Sequence, residues 1–249
     1  MKVLRIGNSN DDQTPVPEAQ RAWKIAEAML AEAVGEPVET VLRRGWPNEK
    51  FPGRIEAWID ELEPDFVVIQ VNNYWYAHES IPLWFDRKFG RAGRAIGTAG
   101  TKVGKWSWVA DNRWAQLVSR RAPDLLPYAT HFTTAQVASC MELTLRKVLA
   151  HEGIILLVRG NEDWNIPTAS ARFNRRNHAR NAVMSAAMRD VCERLRVPYA
   201  QRPSMGKDEI TTLNGAGFHS TADEQRKAGE FDGEAMIAAW RSAHALSRP

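Results

Sequence analysis

Runs of five to eight residues that are rich in apolar side chains alternate along the chain with longer segments in which apolar residues recur every three or four positions. The runs cover residues 2–7, 37–42, 65–71, 153–160 and 197–201. The run DFVVIQV at residues 65–71 has apolar residues at the consecutive positions 66–69 and so is apolar on both faces, which is typical of a parallel strand covered by helices on both sides. The pattern therefore predicts five strands, with residues 65–71 in the middle of the sheet.

Helical periodicity fills the intervals between these runs. The predicted helices cover residues 17–34, a short segment ending near Leu62, residues 134–151, residues 177–195, and a last segment from Thr221 towards Leu246. Pro17 suits a first helical turn, and Thr221 with Glu224 has the spacing of a capping box. Because strands and helices alternate, we expect an α/β fold: a three-layer α/β/α sandwich around a mostly parallel five-stranded sheet.

Residues 76–130 do not fit this alternation. The segment contains Trp84, Trp106, Trp108 and Trp114, and residues 81–121 within it carry nine Lys or Arg against two Asp. We interpret residues 76–130 as a basic, Trp-rich insertion or cap within a single domain that covers residues 1–249.

Several classes of protein are set aside by composition. Cys140 and Cys192 are the only cysteines and stand far apart, so we expect neither a disulfide framework nor a zinc site. We also expect no other metal site and no cofactor. Charged residues interrupt every apolar run before about 20 residues, which argues against a membrane span. No leader-like segment precedes the first strand, so we expect a cytoplasmic protein. A net charge of +3 does not by itself indicate nucleic acid.

Candidate site residues follow the first three predicted strands and precede the last predicted helix. They are Ser9, Gly45, the pair Asn72 and Asn73, and His219. Since the carboxyl ends of parallel strands meet at one edge of a sheet, we expect these residues to converge there. A serine hydroxyl becomes a nucleophile when a base accepts its proton and when donors stabilise the developing oxyanion. The four segments contain residues of each required type.

The same segments resemble the sequence blocks of the SGNH (GDSL-like) hydrolase family. They are VLRIGNSN around Ser9, VLRRGWPNEKFPG around Gly45, PDFVVIQV followed by Asn72 and Asn73, and GFHSTADEQRKAGE around His219. The resemblance covers nearly all of the chain outside the insertion. It implies the flavodoxin-like sandwich of that family, with Ser9 as the nucleophile on an ester carbonyl and His219 as its general base. The implied oxyanion hole consists of the backbone N–H groups of Ser9 and Gly45, completed by the side-chain amide of Asn73 or, second, Asn72.

The chain departs from the family pattern at three positions. Asn8 stands where the first block has an Asp, and Ala216 stands where an Asp usually precedes the catalytic His. An ungapped count in the third block puts Tyr74 at the family's Asn position, so assigning Asn73 requires a small shift of register. Without an acid at Ala216, Ser9 and His219 would act as a dyad, with a carbonyl or another acid orienting the imidazole. Asp11 and Asp12 follow Ser9 closely and would either serve a helix dipole or orient a group near Ser9.

Aromatic residues flank the predicted oxyanion loops. Trp46 directly follows Gly45, while Tyr74 and Trp75 follow the Asn pair, so these three side chains are candidates for the wall of a substrate pocket. Packing in the core is the alternative role for each of them.

Three classes of function remain open. The first is hydrolysis of carboxylic esters, such as deacetylation of a small molecule or carbohydrate, or the related transfer of the acyl group to an alcohol. The second is a binding protein on the same scaffold that binds a small molecule or carbohydrate without turnover, which Ala216 favours. The third, nucleic-acid binding through residues 81–121, ranks last because the segment contains no recognised nucleic-acid motif. The oligomeric state is left open.

Overall fold

The protein is built around one parallel sheet. A computed structural model describes residues 1–12, 16–104, 122, 124–160, 170–202 and 221–246, with the backbone alone for residues 9, 10, 94–104 and 246. Within these ranges the sheet has five strands: β1 (Lys2–Ile6), β2 (Glu39–Arg43), β3 (Phe66–Gln70), β4 (Ile155–Gly160) and β5 (Tyr199–Gln201). Their order is β2-β1-β3-β4-β5, and all pairs are parallel. The predicted strands and their parallel arrangement are confirmed.

Helices connect the strands. They are α1 (Ser9–Asp12), α2 (Ala22–Val34), α3 (Phe51–Leu62), α4 (Asn73–Tyr76), α5 (Ile81–Gly104), α6 (Thr134–Leu149), α7 (Ala171–Leu195) and α8 (Ala222–Leu246). The predicted helix start at Pro17 is wrong, because a 3-10 turn covers Glu18–Gln20 and an extended Arg21 separates it from α2. The predicted start at residue 177 is also wrong. Helix α7 begins at Ala171, capped by the Ser170 hydroxyl, which accepts the N–H of Phe173 at 2.9 Å.

Alternate strand residues pack on opposite faces of the sheet. One face presents Val3, Phe66, Val68 and Leu157 to α2 and α8, and the other presents Leu4, Ile6, Val67, Ile69 and Val158 to α3, α6 and α7. Every residue of β3 is buried, including the polar Gln70, and the consecutive apolar residues 66–69 predict this burial. The three-layer α/β/α sandwich is therefore confirmed.

The stem of the segment interpreted as an insertion is closed by backbone pairing. Ser80 donates its N–H to the carbonyl of Ala129 at 2.9 Å, and Ala129 donates back to Ser80 at 3.0 Å. Next to this stem the buried Glu79 receives hydrogen bonds from Arg176 and Arg180 of α7. The stem is thus fastened to α7. Trp106, Trp108 and Trp114 lie outside the described residues, and the single-domain assignment stays a prediction.

Candidate active site

Three strand ends meet at one edge of the sheet. Ile6 at the end of β1 pairs with Arg43 at the end of β2 and with Ile69 near the end of β3. Gly7, the next residue, donates its N–H to the carbonyl of Arg43 at 3.0 Å. The loops that follow β1, β2 and β3 are therefore immediate neighbours, and they carry Ser9, Gly45 and the Asn pair.

The turn around Ser9 is closed by reciprocal hydrogen bonds. Asn8 donates its backbone N–H to Oδ2 of Asp11 at 2.8 Å, and Asp11 donates its N–H to the carbonyl of Asn8 at 3.1 Å. A Cβ atom at Gly7 would overlap the Asp11 carboxylate, so this close approach requires glycine. Ser9 is the first residue of α1, and its side chain lies outside the described part of the structure.

Gly45 lies against a buried ring at the start of α3. A Cβ atom at Gly45 would overlap the ring of Phe51, which is 1% exposed. Phe51 in turn donates its N–H to the carbonyl of Asn48 at 2.9 Å. The loop after β2 is thereby folded back onto α3, and its backbone at Gly45 is half-buried.

The two Asn residues have different surroundings. Asn72 is the N-cap of α4, and its Oδ1 atom accepts the backbone N–H of Tyr74 at 2.9 Å. This cap fixes the orientation of the amide and leaves its Nδ2 group as the donating end. Asn73 is the first residue of α4 and is half-buried. Both amides therefore follow β3 directly, beside the Ser9 turn.

Exposed aromatic rings stand beside these loops. Trp46 and Tyr74 are each 41% exposed, and their ring centroids lie 5.9 Å apart. His131 packs against both, at 4.9 Å from Trp46 and 5.2 Å from Tyr74, and His78 stacks on Tyr74 at 4.4 Å. Trp75 differs, since it is 2% exposed and belongs to the core. We call Trp46, Tyr74, His78 and His131 the aromatic cluster.

Ionisation in the aromatic cluster is suppressed by burial. Burial lowers the pKa of His78 to about 4, and the neighbouring His131 lowers it further, while Glu79 opposes the change. Burial, followed by the charge of Arg87, also lowers the pKa of His131. Burial raises the pKa of the Tyr74 phenol. At neutral pH the cluster is therefore an uncharged surface next to Gly45 and the Asn pair.

A group of buried charges lies beneath the Ser9 turn. It consists of Arg5, Asp11, Arg159, Arg202 and Asp232. Apart from Asp11, sequence reasoning did not single these residues out. One signal was available, because Arg5 and Arg159 interrupt otherwise apolar strands, and a buried guanidinium requires a buried acid. The partner could not have been named, because Asp232 is 227 residues from Arg5 in the chain.

His219 and Ala216 lie outside the described residues. The helix that follows them begins as predicted, with Thr221 donating its N–H to Glu224 Oε2 at 2.7 Å and Glu224 donating to Thr221 Oγ1 at 3.3 Å. This reciprocal pair confirms the capping box. It fixes the start of α8 at Ala222, three residues after His219 in the chain.

Two further observations concern metals and membranes. In the ranges given above, no three His, Cys, Asp or Glu side chains are arranged to hold a metal ion. Among the helices that the structure describes, none combines the length and the apolar character that crossing a membrane requires.

Comparison with known proteins shows the fold. Neither a family model nor a curated protein sequence matches the chain. Among solved structures, TesA matches with a TM-score of 0.56 and 15% identity over 96% of this chain and 99% of TesA. Est24, a carbohydrate acetylesterase from Sinorhizobium meliloti, matches with a TM-score of 0.52 and 14% identity over 95% of this chain and 98% of its own. The native aryl esterase of M. smegmatis matches with a TM-score of 0.51 and 13% identity over 97% of this chain and 98% of its own.

These matches extend over nearly the full length of both chains, although the sequences have diverged widely. The chain thus has the SGNH hydrolase fold that the sequence blocks predict.

Proposed function

We propose that this protein of SGNH hydrolase fold is a serine hydrolase of carboxylic esters, with Ser9 as nucleophile and His219 as general base. One observation carries the proposal: the loops after β1, β2 and β3, which bear Ser9, Gly45 and the Asn pair, are neighbours at one sheet edge. A nucleophile and oxyanion donors from separate segments must converge in this way for acyl transfer.

The proposed reaction has two halves. The Ser9 hydroxyl attacks the ester carbonyl while His219 accepts its proton, and the resulting oxyanion receives hydrogen bonds from the backbone N–H groups of Ser9 and Gly45. An Asn side-chain amide, Asn73 first and Asn72 second, is the third donor. His219 then protonates the leaving alcohol, and an acyl group remains on Ser9. Water attacks this acyl-enzyme with His219 again accepting a proton, which releases the carboxylic acid and restores Ser9.

The aromatic cluster favours a substrate that contains a ring. Trp46 and Tyr74 are exposed, uncharged and adjacent to the proposed oxyanion donors, so they offer apolar area on which a sugar or aryl ring stacks. Two neighbours of the same fold are a carbohydrate acetylesterase and an aryl esterase. We propose small esters of carbohydrates or similar ring alcohols as substrates. Trp75 is left out of this wall because its ring is packed in the core.

Ala216 favours one alternative function. A serine hydrolase normally orients its His with an acid, and removing such an acid typically lowers kcat about 10,000-fold. If no other group orients His219, the protein would bind a ring-bearing ligand without hydrolysing it. Such a protein would bind its ligand equally well after Ser9→Ala.

The test is product analysis with p-nitrophenyl acetate and a panel of acetylated sugars. We expect the wild type to release acetate, and we expect Ser9→Ala and His219→Ala to lose at least about 1,000-fold in kcat. Added alcohols distinguish hydrolysis from transfer, because a transferase converts them to acetate esters. Binding of the sugars by calorimetry without release of acetate in any variant would support the alternative.

A further inference from the structure

A fixed carboxylate lies directly beneath the turn that carries Ser9. Asp11 is 5% exposed, and its two oxygens are used separately. Oδ2 accepts the backbone N–H of Asn8, while Oδ1 accepts Nε of Arg5 at 3.1 Å and lies 3.0 Å from Arg5 Nη2. The backbone carbonyl of Asp11 accepts the indole N–H of Trp23 at 2.8 Å, which ties α1 to α2. The carboxylate therefore joins the turn to a strand of the sheet.

Arg5 extends this attachment to α8, which packs on the same face of the sheet as α2. Its Nη2 group donates to Oδ2 of Asp232 on α8 at 2.8 Å, and both side chains are at most 2% exposed. Burial disfavours the charged carboxylate of Asp232, but the charges of Arg159, Arg202 and Arg5 outweigh it and lower the pKa of Asp232. An ion pair in such a dry site is held in one geometry, since each charge needs its partner.

Asp232 also fastens the chain where it leaves the sheet. Arg202, the residue after β5, donates through Nη2 to Asp232 Oδ2 at 3.0 Å and to the carbonyl of Ala228 at 3.3 Å. Arg159 of β4 forms an ion pair with the same carboxylate at 3.3 Å. The Ser9 turn, two strand ends and α8 are thus connected through one buried group of charges.

We propose that Asp11 is a positioning residue that holds the backbone of the Ser9 turn in the geometry needed for nucleophilic attack. This proposal rests on the proposed function, because Asp11 can position a nucleophile only if Ser9 is one. Loss of the carboxylate would release the Asn8 N–H and allow the turn to shift, and a displacement of about 1 Å at a reacting group costs about 100-fold in rate. The competing explanation is that the buried charges contribute stability alone.

The first test separates these explanations by the kinetics of Asp11→Ala and Asp11→Asn. We expect Asp11→Ala to lower kcat about 100-fold on p-nitrophenyl acetate while KM stays within about threefold, because the lost interaction positions the attack. Asp11→Asn keeps an acceptor for Asn8, so we expect its kcat to be at least about tenfold above that of Asp11→Ala. Folding is checked by circular dichroism at the assay temperature.

Asp65→Ala is the matched control. Asp65 also accepts a backbone N–H of β1, from Lys2 at 2.6 Å, but at the opposite edge of the sheet. We expect Asp65→Ala to lower the stability of the fold without changing kcat. Equal kcat values for folded Asp11→Ala, Asp65→Ala and wild type would overturn the proposal.

A second pair of variants covers the case in which Asp11→Ala does not fold. Arg5→Met/Asp11→Asn and Arg5→Met/Asp11→Ala each remove both charges of the ion pair, so neither variant contains a buried guanidinium at position 5 that has lost the Asp11 carboxylate. We expect the Asn8 acceptor in the first double variant to keep kcat at least about tenfold above the second. Equal kcat values in the two would overturn the proposal.

Hydrogen exchange at the Asn8 amide provides a measurement that does not depend on turnover. We expect this amide to be protected in the wild type and in Asp11→Asn, and to exchange at least about tenfold faster in Asp11→Ala. Unchanged protection in Asp11→Ala would overturn the proposal even for an inactive protein. Faster exchange in Asp11→Ala, together with a wild type that hydrolyses no ester, would instead mark the failure of the proposed function.

Discussion

Asn72 accepts the backbone N–H of Tyr74 through its Oδ1 atom and so begins the short helix α4 immediately after β3. The contact separates two roles that an Asn in this loop can have. The oxygen caps the helix, and the nitrogen is the end that can donate to an oxyanion. Substitutions that keep one role and remove the other therefore identify the third donor.

Asn73→Ala and Asn72→Asp make this comparison. Asp caps a helix as well as Asn does but has no amide donor. With Asn73 as the donor, we expect Asn73→Ala to lower kcat for ester hydrolysis about 100- to 1,000-fold, and to lower it at least about tenfold more than Asn72→Asp does. A larger loss in Asn72→Asp would transfer the role to Asn72. Asn72→Ala should in addition lower the free energy of unfolding by about 1 kcal/mol, since the cap is lost.

Gly45→Ala should destabilise the loop after β2. The added Cβ would overlap the buried ring of Phe51, and overpacking of this kind costs about 1 to 3 kcal/mol. Urea unfolding measures the change. Gly53→Ala is the control, because Gly53 lies in α3 with nothing within 4 Å of an added Cβ, and there we expect a gain of about 0.5 to 1 kcal/mol. Equal effects of the two substitutions would contradict the packing around Gly45.

Glu79→Ala should weaken the attachment of the stem to α7. The Glu79 carboxylate receives two hydrogen bonds from Arg176, at 2.8 and 2.7 Å, and one from Arg180 at 2.8 Å. Breaking a buried ion pair costs about 3 to 5 kcal/mol, and we expect about 3 kcal/mol because both guanidinium groups are partly exposed. Thermal unfolding of Glu230→Ala gives the comparison, since its pair with Arg226 is exposed and contributes little to stability.

His78 should make stability depend on pH. Its pKa is about 4 in the folded protein against 6.5 as its ordinary value, so the unfolded chain binds more protons between these values. The stabilisation from neutral His78 is complete above pH 6.5 and is lost as pH falls towards 4. We expect about 2 kcal/mol to be lost between pH 7 and pH 5. His78→Phe keeps a ring against Tyr74 without titrating, so its urea unfolding should lack this loss; identical profiles would contradict the assignment.

The sheet was predictable because its signal is local. Short stretches rich in apolar residues mark the strands, and β3 is buried at every position, so neither the parallel arrangement nor the position of the loops required knowledge of distant contacts. The carboxyl ends of parallel strands meet at one edge of a sheet, so the loops that carry Ser9, Gly45 and the Asn pair were expected to be neighbours.

The polar contacts were not predictable in the same way. Helix α7 begins six residues before its predicted start, and Arg176 in this first part is bound to Glu79, so apolar periodicity gave no sign of it. Likewise, nothing in the spacing of His78 and His131 indicates that both stack on Tyr74. Buried polar pairs depend on the three-dimensional meeting of distant residues, which hydrophobic periodicity does not encode.

The most direct test of the central claim is the reaction of the protein with a fluorophosphonate, followed by intact-mass analysis and peptide mapping of wild type, Ser9→Ala and His219→Ala. We predict one adduct in the wild type, located on Ser9, absent from Ser9→Ala and formed at least about 100-fold more slowly in His219→Ala. No adduct on folded wild type, or equal labelling of Ser9→Ala, would contradict an activated serine at this position.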